Sequence, residues 1–187
     1  YPSSLMQGYL EQYGPFTFVL PALLEANYVP AEENPDREFI QQAMDNYGVQ
    51  ETMILERGGV TYGIFGLMGV DSHECAPTSG FELQDAAKAA ERCVASLKEQ
   101  GAEVIICLSH AGTGDSLAFS EDEVLAENVD GIDVIISAHT HTTLQEPIVI
   151  NDTYIVHSYP EYILQRINKN VFKNPPELME NYVGVTA

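Results

Sequence analysis

An α/β fold built on parallel strands is what this sequence predicts, and three observations predict it. Two β-branched apolar runs, Val104-Ile105-Ile106-Cys107-Leu108 and Val134-Ile135-Ile136, have the composition of fully buried strands. A segment of helical periodicity precedes each of them. Strand and helix therefore alternate, the rhythm of right-handed crossovers between parallel neighbours. A single domain of 187 residues can bury roughly 70% of its unfolded surface, so no disulfide staple is required.

The elements follow in order. Residues 1–15 carry Pro2, Gly8, Gly14 and Pro15 and are expected to pack loosely. Phe16 to Val29 reads as a strand region. Asn34 is placed to cap a helix with Pro35 at its first position, running to about Tyr47 and ended by Gly48. Glu51 to Glu56 and Val60 to Met68 read as a hairpin, because Gly58-Gly59 separates two apolar runs. A polar, Pro-containing loop is expected from Gly69 to Gly80. Leu83, Ala86, Ala87, Ala90, Val94 and Leu97 recur at three- and four-residue steps, which is one apolar face of a helix. Glu82 and Asp85 favour its start, Lys98 and Gly101 its end. A second helix, about Glu121 to Asn128, feeds the Asp133–Ser137 strand. Beyond His141, Pro147–Ile150 and Thr153–Val156 form a hairpin across Asn151-Asp152, and Ile163 to Asn168 is a further strand. Residues 172–187, with Pro175 and Pro176, resemble a linker or tail.

Composition narrows the partners. Twenty-eight acidic against 8 basic residues give a net charge of −20. Such a surface repels phosphate backbones and anionic lipid, so nucleic acid and membranes are disfavoured as partners. No apolar run approaches the ~20 residues that span a bilayer. The chain opens at Tyr1 without a Met, a basic n-region or an apolar signal segment, and reads as a fragment or processed product. Cys75, Cys93 and Cys107 match no zinc-motif spacing and read as buried free thiols.

The chemistry sits at two strand ends. His110 closes the first apolar run, and His139 and His141 follow the second. Ligands of open α/β sheets sit at C-terminal strand ends, and neutral imidazole is the commonest metal-binding side chain. Adjacent strands lie ~4.8 Å apart, so both ends can serve one ion site. His110, His139 and His141 are therefore the candidate metal ligands. His73 reads as a solvated loop histidine, and His157 as core or edge packing. Asp71, Asp115 and Asp133 are the nearest acids, each read as an ordinary loop acid. Asp133 should point away from the site, and Asp115 could serve only behind the ligands. Three histidines alone could complete a mononuclear zinc site with water as the fourth ligand. A binuclear site would need carboxylates as well.

Gly63-Ile64-Phe65-Gly66-Leu67, Leu108-Ser109-His110 and Gly131-Ile132-Asp133-Val134-Ile135-Ile136-Ser137-Ala138-His139-Thr140-His141 together resemble the calcineurin-like metallophosphoesterases. Within them the likeness is to the bacterial 5′-nucleotidase and 2′,3′-cyclic-nucleotide phosphodiesterase branch, over about Leu20 to Asn168. The resemblance implies a four-layer α-β-β-α sandwich and a site of two divalent metals. His110 and His139 would bind one metal and His141 the other. The family's remaining ligands lie in an Asp-x-His pair, a Gly-Asp pair and a Gly-Asn-His-Glu segment, and none of these motifs occurs here. Its catalytic histidine is absent with them. Ala138 stands where the family usually has glycine.

The implied protein is therefore the C-terminal portion of a phosphoesterase domain acting on a nucleotide. An upstream half would complete the metal site, a C-terminal domain would bind the nucleotide, and an extracytoplasmic or cell-surface location is implied. These 187 residues alone would be inactive. Two alternatives stay open on the residues themselves: a mononuclear three-histidine hydrolase, and a non-catalytic binding module.

Overall fold

The computed structural model describes residues 21–114, 116 and 120–157. The expected loose ends at 1–15 and 172–187, the start of the Phe16 strand region, the strand at 163–168 and Asp115 lie outside the described residues. Among the described residues no helix is long and apolar enough to cross a membrane.

Six strands form the main sheet. They are β2 (Thr52–Arg57), β3 (Val60–Met68), β5 (Val104–His110), β6 (Val134–Ser137), β7 (Ile148–Ile150) and β8 (Thr153–His157), in the order β2-β3-β5-β6-β8-β7. β3, β5, β6 and β8 run parallel, and β2 and β7 are antiparallel edges. Both expected hairpins form. Gly58 and Gly59 turn the first with φ of +60° and +83°, a conformation that glycine adopts without a Cβ clash. The parallel core follows from its crossovers: α3 (Ala86–Glu99) leads into β5, and α4 (Glu121–Asn128) into β6.

Register explains the core. Phe65, Cys107, Ile135 and Ile155 lie side by side across four strands, each 0% exposed. Onto that row α3 lays Ala90, Cys93, Val94 and Leu97, and α4 adds Leu125 and Ala126. The opposite pleat face is also apolar, and the helices among the described residues leave it uncovered. Leu108, Ile136 and Val156 form one row on it; Ile106, Val134 and Tyr154 form the next. Leu108, Ile136 and Tyr154 remain 41%, 40% and 52% exposed. Among the described residues, α3 and α4 thus form a helix layer on one face of the main sheet.

Three expectations are corrected. The helix expected from Pro35 is α1 (Arg37–Tyr47) and starts later, because Asn34 Oδ1 accepts the Asp36 N–H at 2.9 Å in a turn and Asn34 Nδ2 donates to the Gly80 carbonyl at 2.9 Å. Leu83 is not on α3. It ends β4 (Phe81–Leu83), which pairs antiparallel with β1 (Tyr28–Pro30), while Asp85 caps α3 by accepting the Lys88 N–H at 3.0 Å. The polar loop after β3 contains a short helix, α2 (Val70–Glu74).

Candidate metal centre

Strand polarity brings the chemistry to one sheet edge. Met68 and His110 are register partners at the ends of β3 and β5, and Ser109 pairs with Ser137 at the end of β6. Side chains alternate along a strand, so His110 shares the uncovered face with Leu108. The His139 ring lies 5.1 Å from the His110 ring, centroid to centroid, at 61°. Desolvation holds the His110 imidazole below its ordinary pKa, with further lowering from His139 and His141 nearby. His157, beside Ser137 at the end of β8, is lowered by burial and then by His141. Both of its ring nitrogens are buried without a hydrogen-bond partner.

The loop after β6 is held by its threonines. Thr140 Oγ1 donates to the Thr113 carbonyl at 2.6 Å, and Thr142 Oγ1 donates to the same oxygen at 2.5 Å. Thr113 is itself fully buried and donates to Glu123 Oε1 at 2.7 Å. Thr140 and Thr142 therefore anchor the loop at alternate positions, with His141 between them and His139 just before the first. Ala138 needs no left-handed backbone. The positive φ values fall instead on His139 (81°) and His141 (53°).

Helix α2 adds a second set of groups. His139 Nε2 and Asp71 Oδ2 are 2.6 Å apart. Asp71 is therefore not an ordinary loop acid; it is the hydrogen-bond partner of a candidate ligand. Cys75 follows Asp71 by one helical turn, its N–H bonded to the Asp71 carbonyl at 3.0 Å. It is exposed rather than buried. Donor atoms of Asp71, Cys75 and His139 lie within 4.8 Å of one another. Among the described residues, His110 and His141 are not part of that grouping. His73 is likewise not a solvated loop residue: it lies on α2, half-buried, with its ring edge-on to Tyr28 at 5.5 Å and its Nδ1 3.3 Å from the Tyr28 hydroxyl.

Position of α2 is fixed from β5 and α4. Gly69 N–H donates to the His110 carbonyl at 3.2 Å, and the Ser72 hydroxyl donates to the same carbonyl. The Glu121 carboxylate accepts the N–H groups of Val70 at 2.9 Å and Asp71 at 3.1 Å. A side chain at Gly69 would collide with the Ala111 backbone. Asp133 faces away from the site, as expected, accepting the Ile105 N–H at 2.6 Å. Buried Cys93 and Cys107 also match expectation; burial raises the first thiol to about 11 and the second well above its ordinary value.

Imidazoles, a carboxylate and a thiol at one sheet edge, with two orphaned histidine nitrogens beside them, are donors suited to a divalent transition metal. The sequence held a signal for the residues missed. Met68 ends β3 at the same edge as His110, so the residues directly after β3 had to fall near the site.

No protein-family model matches the chain. An apyrase of Aedes albopictus is 33% identical over 97 residues, covering 51% of this chain and 16% of that protein. A probable 5′-nucleotidase of Treponema pallidum is 32% identical over 122 residues, covering 64% of this chain and 20% of that protein. The chain therefore spans a fifth or less of either relative. A 5′-nucleotidase precursor from Thermus thermophilus superimposes with a TM-score of 0.56 at 22% identity, over 81% of this chain and 29% of its own, which shows a common fold.

Proposed function

We propose, for a chain whose relatives and fold neighbours are nucleotidases, apyrases and calcineurin-like phosphoesterases, that it forms the C-terminal portion of a metal-dependent phosphoesterase domain acting on nucleotides. His110, His139 and His141 are the ligands it contributes to a two-metal centre. An upstream half of the same domain supplies the remaining ligands, and a separate C-terminal domain holds the nucleotide. An extracytoplasmic location accompanies this reading.

The observation that carries it is the approach of His110 and His139 to 5.1 Å at the open edge of a parallel sheet. His110 stands on the pleat face that the described residues leave uncovered, which is where a second sheet of a sandwich would pack. When bound, the metals supply an activated water and neutralise charge on the transferring phosphoryl group. The residues of this chain hold and orient. His110 and His139 present imidazoles from two adjacent strand ends, and Thr140 and Thr142 tie the loop that carries His139 and His141 to Thr113.

Hydrolysis of p-nitrophenyl phosphate and of nucleoside monophosphates with Mn²⁺ or Co²⁺ tests the reading. Turnover is expected from the longer gene product and near-background turnover from these 187 residues. Robust turnover by the isolated chain would overturn the need for an upstream half and favour a mononuclear hydrolase. Absence of turnover in both would favour the non-catalytic module.

A further inference from the structure

We propose that Asp71, Cys75 and His139 form a thiolate-containing site for a borderline-soft divalent cation of the zinc class, separate in composition from the histidine-based centre. It depends on the phosphoesterase reading only in sharing His139.

Three features carry the inference. Asp71 and Cys75 stand at i and i+4 on α2 and its C-terminal cap, a spacing that puts two side chains on one helical face. His139 arrives from the loop after β6, 64 residues beyond Cys75 in sequence (139 − 75), yet its donor atom joins theirs within 4.8 Å. Zinc binds sulfur, nitrogen and oxygen at roughly 2.0–2.3 Å, which places tetrahedral ligand atoms about 3.4 Å apart. A cation would take the place of the direct hydrogen bond between His139 Nε2 and Asp71 Oδ2, parting two atoms now 2.6 Å apart to that spacing.

A purely orienting carboxylate explains the Asp71–His139 pair but gives no role to a thiol in the same grouping. Cys75 is exposed, so its sulfur is open to an arriving ion, unlike Cys93 and Cys107. The backbone beneath is already ordered, because Glu121, Ser72 and Gly69 fix α2 against the end of β5. Thiolate and imidazole favour zinc, cobalt or cadmium over magnesium and calcium. Occupation of this site also draws His139 away from His110, so a soft metal would compete with the phosphoesterase centre.

Cobalt titration of the full chain tests this directly. The wild type should show thiolate-to-cobalt charge-transfer absorption in the near ultraviolet. Cys75→Ser should abolish that band and weaken binding at this site by at least the roughly tenfold cost of a lost outer-sphere partner. Asp71→Asn should weaken binding while keeping the band at saturation. The double variant His110→Ala/His141→Ala should retain the band. A cobalt-loaded wild type without the band, or a Cys75→Ser protein that keeps it, overturns the site. Loss of the band in the double variant overturns its separateness. Mn²⁺-dependent hydrolysis by the longer gene product decides the phosphoesterase reading whichever way the band falls.

Discussion

Asp122 shows how a single residue near the strand ends is balanced. It is 0% exposed, accepts the Ser109 hydroxyl at 2.5 Å and the Gly112 N–H at 3.2 Å, and tethers α4 to the end of β5. Burial outweighs those hydrogen bonds and pushes its carboxyl up to about 6. The folded state therefore holds this proton more tightly than the unfolded state does. Stability from Asp122 is full below its unfolded value of about 3.9 and is lost as pH rises through about 6. The difference in unfolding free energy between wild type and Asp122→Asn should fall by about 2–3 kcal/mol from about pH 4 to about pH 7, measured by urea denaturation. A flat difference would show that the site does not hold the proton.

The same scale shows what the sequence could and could not disclose. The placement of His110, His139 and His141 at or just beyond strand ends was legible because each follows an apolar run whose end is visible in composition. Asp71 and Cys75 were not, because a five-residue helix is too short for periodicity to register. Their value arises from a contact with a loop more than sixty positions away. His73 was misread for the same reason: its partner Tyr28 comes from β1, which no local pattern links to α2.

Among the elements, α2 depends on one close approach. Gly69 lies against Ala111 with no room for a Cβ, and its N–H is bonded to the His110 carbonyl. Gly69→Ala should cost about 1–3 kcal/mol through overpacking and shift α2 off the sheet edge. Urea denaturation reads the first effect. Loss of the coupling between Asp71 and the His139 ring, followed by NMR of the imidazole, reads the second. An unchanged stability would mean that α2 is not docked through this glycine. β3, β5, α4 and both hairpins match their expected spans closely, since periodicity and turn chemistry agree there. Ends were decided by side chains with two possible uses. Asn34 had the chemistry of a cap and was spent on a turn and on Gly80 instead.

At the scale of the molecule the asymmetry of the sheet dominates. One face carries a complete apolar core; the other presents Leu108, Ile136 and Tyr154 to solvent. Near-continuous apolar strands belong to sheets covered on both sides, so the composition of β5 and β6 already implied two covers. The triple variant Leu108→Thr/Ile136→Thr/Tyr154→Thr puts a β-branched side chain, suited to a strand, at all three positions. It should hold the unfolding midpoint near that of the wild type while reducing binding of a hydrophobic fluorescent dye and self-association. Collapse of the midpoint would show that this face is already part of the core.

The left-handed backbone at His139 and His141 carries one more consequence. For an ordinary L-residue that conformation carries a penalty of order 1–2 kcal/mol, which glycine largely escapes. Selection for ruggedness and selection for chemistry thus pull these two positions in opposite directions. A library ranked by heat resistance would drift toward glycine there and return proteins that endure well but lack both imidazoles proposed here as ligands.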